Sequence, residues 1–222
     1  MRKVADFLPF VLPFVPGCSN PQAKQAIVSA CIEFCEQSLI AQNIQTETVV
    51  SGTMDYDVEV PAQMSLVRVM QVFYKGARLK PRSREMVVNP MALRAESIDD
   101  ATIQTGTPFE WFIRAPEDEV VTVYPRPDAL AASTGGLTIV SALQPAVGAT
   151  SVPDVLFDNY AEDIGFGAVA RLVAVPGQSF SAPAAEAGFR KKFLDALSGA
   201  TSVGRQGRVS AGSRVRRAFF AR

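Results

Sequence analysis

The sequence predicts an α+β protein in which a small helical bundle carries an inserted, antiparallel, β-sandwich-like module. Two observations predict this: a helical period near the N-terminus that returns after Pro145, and a run of period-two segments between them. A third, the loss of any period after Gly199, predicts an extended C-terminal arm.

Asn20-Pro21 reads as a capping residue followed by proline at the first helical position, and Ala23, Ile27, Ala30, Cys31 and Phe34 then recur at three- and four-residue spacing. The first helix is therefore expected over residues 21–41. From Ile44 the period falls to two. Thr46, Thr48 and Val50 share one face of a strand, Tyr56, Val58 and Val60 one face of the next, and Gly52 between them predicts a hairpin. Residues 66–74 form a β-branched and aromatic run, Lys75-Gly76 supplies a turn, and residues 77–80 return. Residues 81–107 show only weak pattern. Residues 111–114, 120–124 and 137–143 are further strand-like runs, the last two separated by a predicted loop over 125–136.

A second helix is expected from Pro153, with Leu156, Tyr160, Ile164, Ala168 and Leu172 on one stripe, stopped by Pro176-Gly177. Ser181 and Pro183 open a third, whose stripe is Ala185, Phe189, Phe193 and Leu197, whose Glu186 and Arg190 are spaced to pair, and which Gly199 ends. No single helix buries its stripe alone, so the first is expected to pack against the last two. The resulting division is residues 1–43 for an N-terminal arm and first bundle helix, 44–150 for the inserted module, 151–199 for the C-terminal bundle helices and 200–222 for a basic arm.

Charge is distributed unevenly. Lys+Arg and Asp+Glu number 22 each, yet no acidic residue follows Asp195, whereas six arginines do. Setting those six aside leaves 16 basic against 22 acidic side chains, a body of net charge −6. Histidine is absent, which removes the Ser-His and Cys-His nucleophile pairs and the commonest zinc ligand together. No catalytic residue, metal ligand or cofactor is expected. The three cysteines lack Cys-x-x-Cys spacing and read as small reduced hydrophobes.

Residues 1–18 combine a basic start, an apolar run and Val15-Pro16-Gly17-Cys18, a faint likeness to a lipoprotein signal. Asp6, Pro9, Pro13 and Pro16 oppose it, because a signal core is an uninterrupted apolar stretch. The expectation is an extended arm packed through Phe7, Phe10 and Phe14 on the body or on a neighbouring subunit, and no membrane span anywhere. Gly165-Phe166-Gly167-Ala168-Val169-Ala170 has the letters of a dinucleotide fingerprint, but helical pattern runs through it where a strand should precede, so the glycines read as points of close helix approach. The acidic clusters Asp99-Asp100 and Glu117-Asp118-Glu119 read as solvated or interfacial turns.

The C-terminal candidate site comprises Arg205, Arg208, Arg214, Val215, Arg216, Arg217, Phe219, Phe220 and Arg222. It could bind nucleic acid, dock on an acidic protein surface, or stay solvated; the interleaved apolar side chains favour docking, since a purely electrostatic DNA arm gains little from them.

Taken in order, Leu12-Pro13-Phe14-Val15-Pro16-Gly17-Cys18, Ala30-Cys31-Ile32-Glu33-Phe34-Cys35, Tyr74-Lys75-Gly76-Ala77-Arg78-Leu79, Gly106-Thr107-Pro108-Phe109, Val123-Tyr124-Pro125-Arg126-Pro127 and Gly167-Ala168-Val169-Ala170-Arg171-Leu172 before Pro176-Gly177 give a recognisable series. Over residues 7–200 it resembles the head-to-tail adaptor, or connector, proteins of tailed phages, related in layout to the tail tubular protein A of short-tailed phages. Phe180 stands where that family leads one to expect tryptophan. The resemblance implies a homo-oligomeric ring, typically a dodecamer, between the portal protein and a tail tube or nozzle protein, with DNA passing through its lumen without sequence-specific binding. It also implies an arm, the C-terminal residues above, that reaches onto the portal. The place implied is the head-tail junction of the virion, after assembly in the host cytoplasm. The alternatives are an exported lipoprotein with a β-sandwich binding module, and a DNA-binding scaffold acting through the arginine-rich tail.

Overall fold

In the computed structural model, which describes residues 1–82, 104–113 and 119–206, the chain is α+β. Its elements in order are β1 (Arg2–Lys3), α1 (Asn20–Ser38), β2 (Gln42–Val49), β3 (Asp55–Asp57), β4 (Met64–Tyr74), β5 (Ala77–Arg78), β6 (Lys80–Pro81), β7 (Thr105–Gly106), β8 (Glu110–Ile113), β9 (Val120–Tyr124), β10 (Arg126–Pro127), β11 (Ser133–Pro145), β12 (Ser151–Val152), α2 (Asp154–Val173) and α3 (Pro183–Gln206). Asp99-Asp100, Glu117 and Asp118 fall outside the described residues; Glu119 is exposed, and its carbonyl oxygen accepts from the Val58 amide.

The N-terminal arm is not extended. β1 pairs with β12, and 3-10 turns then run over Val4–Phe10 and Leu12–Phe14. Val4, Phe7, Val11 and Val15, at helical three- and four-residue spacing, are all buried in the core that the helices share. Phe7 is fully enclosed, Phe10 half-buried against Phe157, and Phe14, 46% exposed, sets its ring against Phe166 and Phe189.

Helix α1 begins one residue earlier than the sequence suggests, because the Ser19 hydroxyl accepts from the Gln22 amide and serves as the cap. It ends at Ser38, where Leu39 adopts a left-handed conformation (φ 57°) with its side chain buried. No glycine marks that stop, which is why the periodicity over-ran it. Ile27 and Phe34 of α1 meet Leu156 and Ile164 of α2 and Phe193 of α3 in one core, with Phe189 at its margin, as the three stripes predict. Ala185 of the third stripe is exposed. Phe180 is buried in the same core.

A second core lies between two four-stranded sheets, ordered β2-β11-β4-β5 and β3-β9-β8-β6. Val69, Val72, Leu137 and Ile139 face Tyr56, Trp111, Val121 and Val123 across it. The β4-β5 hairpin is as predicted, with Lys75 and Gly76 both left-handed (φ 46° and 79°), the backbone a two-residue turn of this hand requires. The other predicted hairpin does not form. β2 pairs with β11 and β3 with β9, so the two strands part into different sheets. The face bearing Ile44, Thr46, Thr48 and Val50 is the exposed one, and Gln45 and Val49 point inward. Gln45 spans the gap between the sheets: its Nε2 donates to the Asp57 carbonyl at 2.8 Å and its Oε1 accepts from the Glu59 amide at 2.7 Å. A buried side chain thus replaces the backbone pairing that is missing between neighbouring strands.

The predicted loop over 125–136 holds β10, paired in parallel with β7, and the first residues of β11. Gly135 (φ 63°) lies where the β11-β2 register shifts, so a bulge hid the strand from a simple alternation test. Helix α3 passes through Gly199 and continues to Gln206. Ala200 is buried in the helical core beyond the glycine, and this packing outweighs a helix-propensity cost of about 1 kcal/mol.

Candidate functional site

Of the predicted arm residues, Arg208, Arg214, Val215, Arg216, Arg217, Phe219, Phe220 and Arg222 lie outside the described residues, and Arg205 belongs to the last turn of α3. The described residues do place the root from which the arm departs. Gly204 lies so close to the end of α1 that a Cβ there would stand 2.0 Å from the Ser38 carbonyl oxygen. Beside it the Gln42 side-chain amide donates to two carbonyl oxygens, Leu39 and Gly204, each at 3.0 Å. The arm therefore leaves at the junction where the helical core hands over to β2.

One turn after another, α3 is tied down along its length. Phe193 is fully buried, its ring centroid 5.8 Å from that of Phe34, and Gly167 of α2 faces the ring where a Cβ would be 2.4 Å from it. Gly165 makes room in the same way for Phe10 of the N-terminal arm. Helix α2 is kinked at Tyr160 (φ −138°), and both glycines of the fingerprint-like motif serve close approach inside its second segment, where no strand precedes them.

The Arg171 and Arg190 guanidiniums flank the Phe193 ring, at 5.8 and 5.3 Å from its centroid, and both reach Glu33 of α1. Arg190 binds both carboxylate oxygens, a bidentate geometry, and Arg171 also donates to the Gly167 carbonyl at 2.9 Å. The predicted surface pairing of Arg190 with Glu186 gives way to this bond, because Glu33 is enclosed and offers two oxygens where Glu186 is exposed. One carboxylate thus ties together all three helices.

Burial raises the Glu33 carboxyl, but the hydrogen bonds and charge of Arg190 and Arg171 outweigh it and hold the group below its ordinary value. Its stabilising contribution is therefore present above the ordinary value of 4.5 and is lost as pH falls through the lowered one. Glu33→Gln keeps the shape and removes the charge. Because the guanidiniums retain contact with water, the expected cost near neutral pH is about 1–3 kcal/mol, less than for a fully buried pair. Urea midpoints of the two proteins should converge as the solution is acidified below about pH 4, a carboxyl's ordinary range. A gap that stays constant with pH would show that the carboxylate charge is not what holds the helices.

The three cysteines are free thiols, Cys31 and Cys35 fully buried in the α1 face. Burial lifts Cys35 to about 12 and Cys31 well above its usual range, leaving both unreactive. Among the described residues no cluster of three His, Cys, Asp or Glu side chains could hold a metal ion, and no helix is long and apolar enough to cross a membrane. Sequence reasoning missed Glu33, Arg171 and Gln42. The available signal was Glu33 itself, a half-buried charge on the flank of the apolar stripe, one turn after Ala30 and two after Ala26. Neither models of known protein families nor curated proteins give a match to this chain.

Proposed function

We propose that this protein is a non-enzymatic structural component of a phage particle, a ring-forming adaptor that joins the portal to the tail and surrounds the DNA exit channel. The observation that carries the reading is the ordered series of motifs described above. In support, motifs far apart in the chain converge: Val15, Cys31, Phe34, Ala168 and Leu172 share the helical core, and Tyr74, Leu79 and Val123 the sandwich core. In this reading the helical bundle and the inserted sandwich-like module form the ring wall, and the basic arm beyond α3 docks on carboxylates of the portal.

The lipoprotein alternative would require cleavage before Cys18. That would strip Val4, Phe7, Val11 and Val15 from the helical core, which favours a retained N-terminal arm. Immunogold labelling of intact particles tests the adaptor reading directly. Label is expected at the portal vertex, on a ring with a central hole; label elsewhere, or none on any particle, overturns it.

A further inference from the structure

The described surface carries two features that the fold does not use. The first is a shallow groove of about 590 Å³ between the N-terminal arm, α1 and the loop before β12. Its floor is apolar, from Val4, Val28 and Ala149, all buried; Lys3 and Lys24 stand on its rim with Val147, which is 86% exposed. No carboxylate lines it, on a body whose net charge is −6. Neither lysine makes an ion pair among the described residues.

The second is the turn before β11. Leu130 is 89% exposed at its tip and joins neither hydrophobic core. Three hydrogen bonds brace the turn: Asp128 Oδ1 accepts from the Ala131 amide at 2.8 Å, the Asp128 carbonyl accepts from the Ala132 amide at 3.1 Å, and the Tyr74 hydroxyl donates to the Ala131 carbonyl at 2.6 Å. An apolar knob is thus held out beside a carboxylate, with little ordering left to lose on binding.

Knob and groove match in chemistry, apolar on apolar and Asp128 against Lys3 and Lys24. They cannot meet within one molecule. The turn precedes β11 and the groove follows it, and this strand is 13 residues long, a separation of roughly 40 Å at about 3.3 Å per residue. We infer that Leu130 and Asp128 of one copy seat in the Lys3–Lys24 groove of the next, a head-to-tail contact between copies of this chain. Such a contact uses two different surfaces, so it propagates and closes into a ring when the rotation allows. The inference deepens the ring-forming reading by naming the contact between neighbours.

Because the contact is heterologous, complementary single-surface variants report on it. Leu130→Asp removes the knob and leaves the groove; a Lys3→Glu, Lys24→Glu double variant removes the groove's charge and leaves the knob. All three positions are exposed, so unchanged circular dichroism and melting are expected. In sedimentation velocity of the full chain, wild type should form higher assemblies with rising concentration, and each variant alone should remain monomeric. An equimolar mixture should stop at dimers, one intact surface meeting the other. A mixture that stays monomeric, or a variant that assembles as wild type does, overturns the contact while leaving the adaptor reading in place if wild type still forms rings. Wild type that remains monomeric at every concentration overturns the contact and the ring-forming reading together.

Discussion

Phe193→Ala should lower the unfolding free energy by about 3–5 kcal/mol, the range for truncating a fully buried phenylalanine. The ring touches each of the other helices, edge-on to Phe34 of α1 and over Gly167 of α2, and two guanidiniums lie against it. Its loss opens a cavity at the point where the three helices meet and removes the surface that orients Arg171 and Arg190 toward Glu33. The companion variant supplies the sharper test. Gly167→Ala alone places a methyl group 2.4 Å from the ring, an overpacking expected to cost about 1–3 kcal/mol. In the Phe193→Ala background the same methyl enters empty space and gains up to about 1 kcal/mol of helix propensity. The double variant should therefore be markedly more stable than the sum of the single effects, by denaturant midpoint with unchanged slope. Strict additivity would mean that the ring is not seated on Gly167, and the three-helix core would need redrawing.

What the sequence disclosed and what it hid divide by the range of the interactions. Features set by local chemistry were legible: the three helical stripes, the Lys75-Gly76 turn, and glycines 165 and 167 as contacts in place of a nucleotide loop. The larger failures are long-range. Period two identifies β2 and β3 as strands but carries no information on partners, and β2 finds β11 far along the chain, with Gln45 bridging the side left open. Gly199 has the local character of a stop signal; the helix continues because Ala200 has core to fill and Gly204 a carbonyl to approach. Arg190 had a partner at helical spacing and took a remote one, since an enclosed carboxylate offering two oxygens outcompetes a solvated one. The N-terminal arm shows the opposite error. Its spacing of Val4, Phe7, Val11 and Val15 was helical all along, but the prolines suggested extension, and a 3-10 turn tolerates them.

The same distinction sets the expected behaviour of a chain ending at Gln206. Stopping at Gly199 would remove buried Ala200 and the Gly204 contact with α1, so any lost function could be blamed on damage to the core. Ending at Gln206 keeps the contacts that α3 makes among the described residues and removes only residues 207–222, five of them arginine and none acidic. That composition lacks the apolar surface to form a core of its own, so an ordered state would have to come from a partner. Bidentate arginine-carboxylate pairs and the anchors Val215, Phe219 and Phe220 are the groups able to offset the ordering cost. On the proposed adaptor reading each arm of the ring is tethered beside its neighbours, and avidity multiplies a modest single-arm affinity. The truncated protein should fold and melt as the full chain does and assemble to the same size. Its attachment to portal-bearing heads should nevertheless weaken by at least about a hundredfold, as loss of multivalent contacts predicts. Attachment of the full chain should weaken with added salt if carboxylates are the target. If the truncated chain joins heads as well as the full one, the arm is not the docking element, and the portal must be sought on the ring body instead.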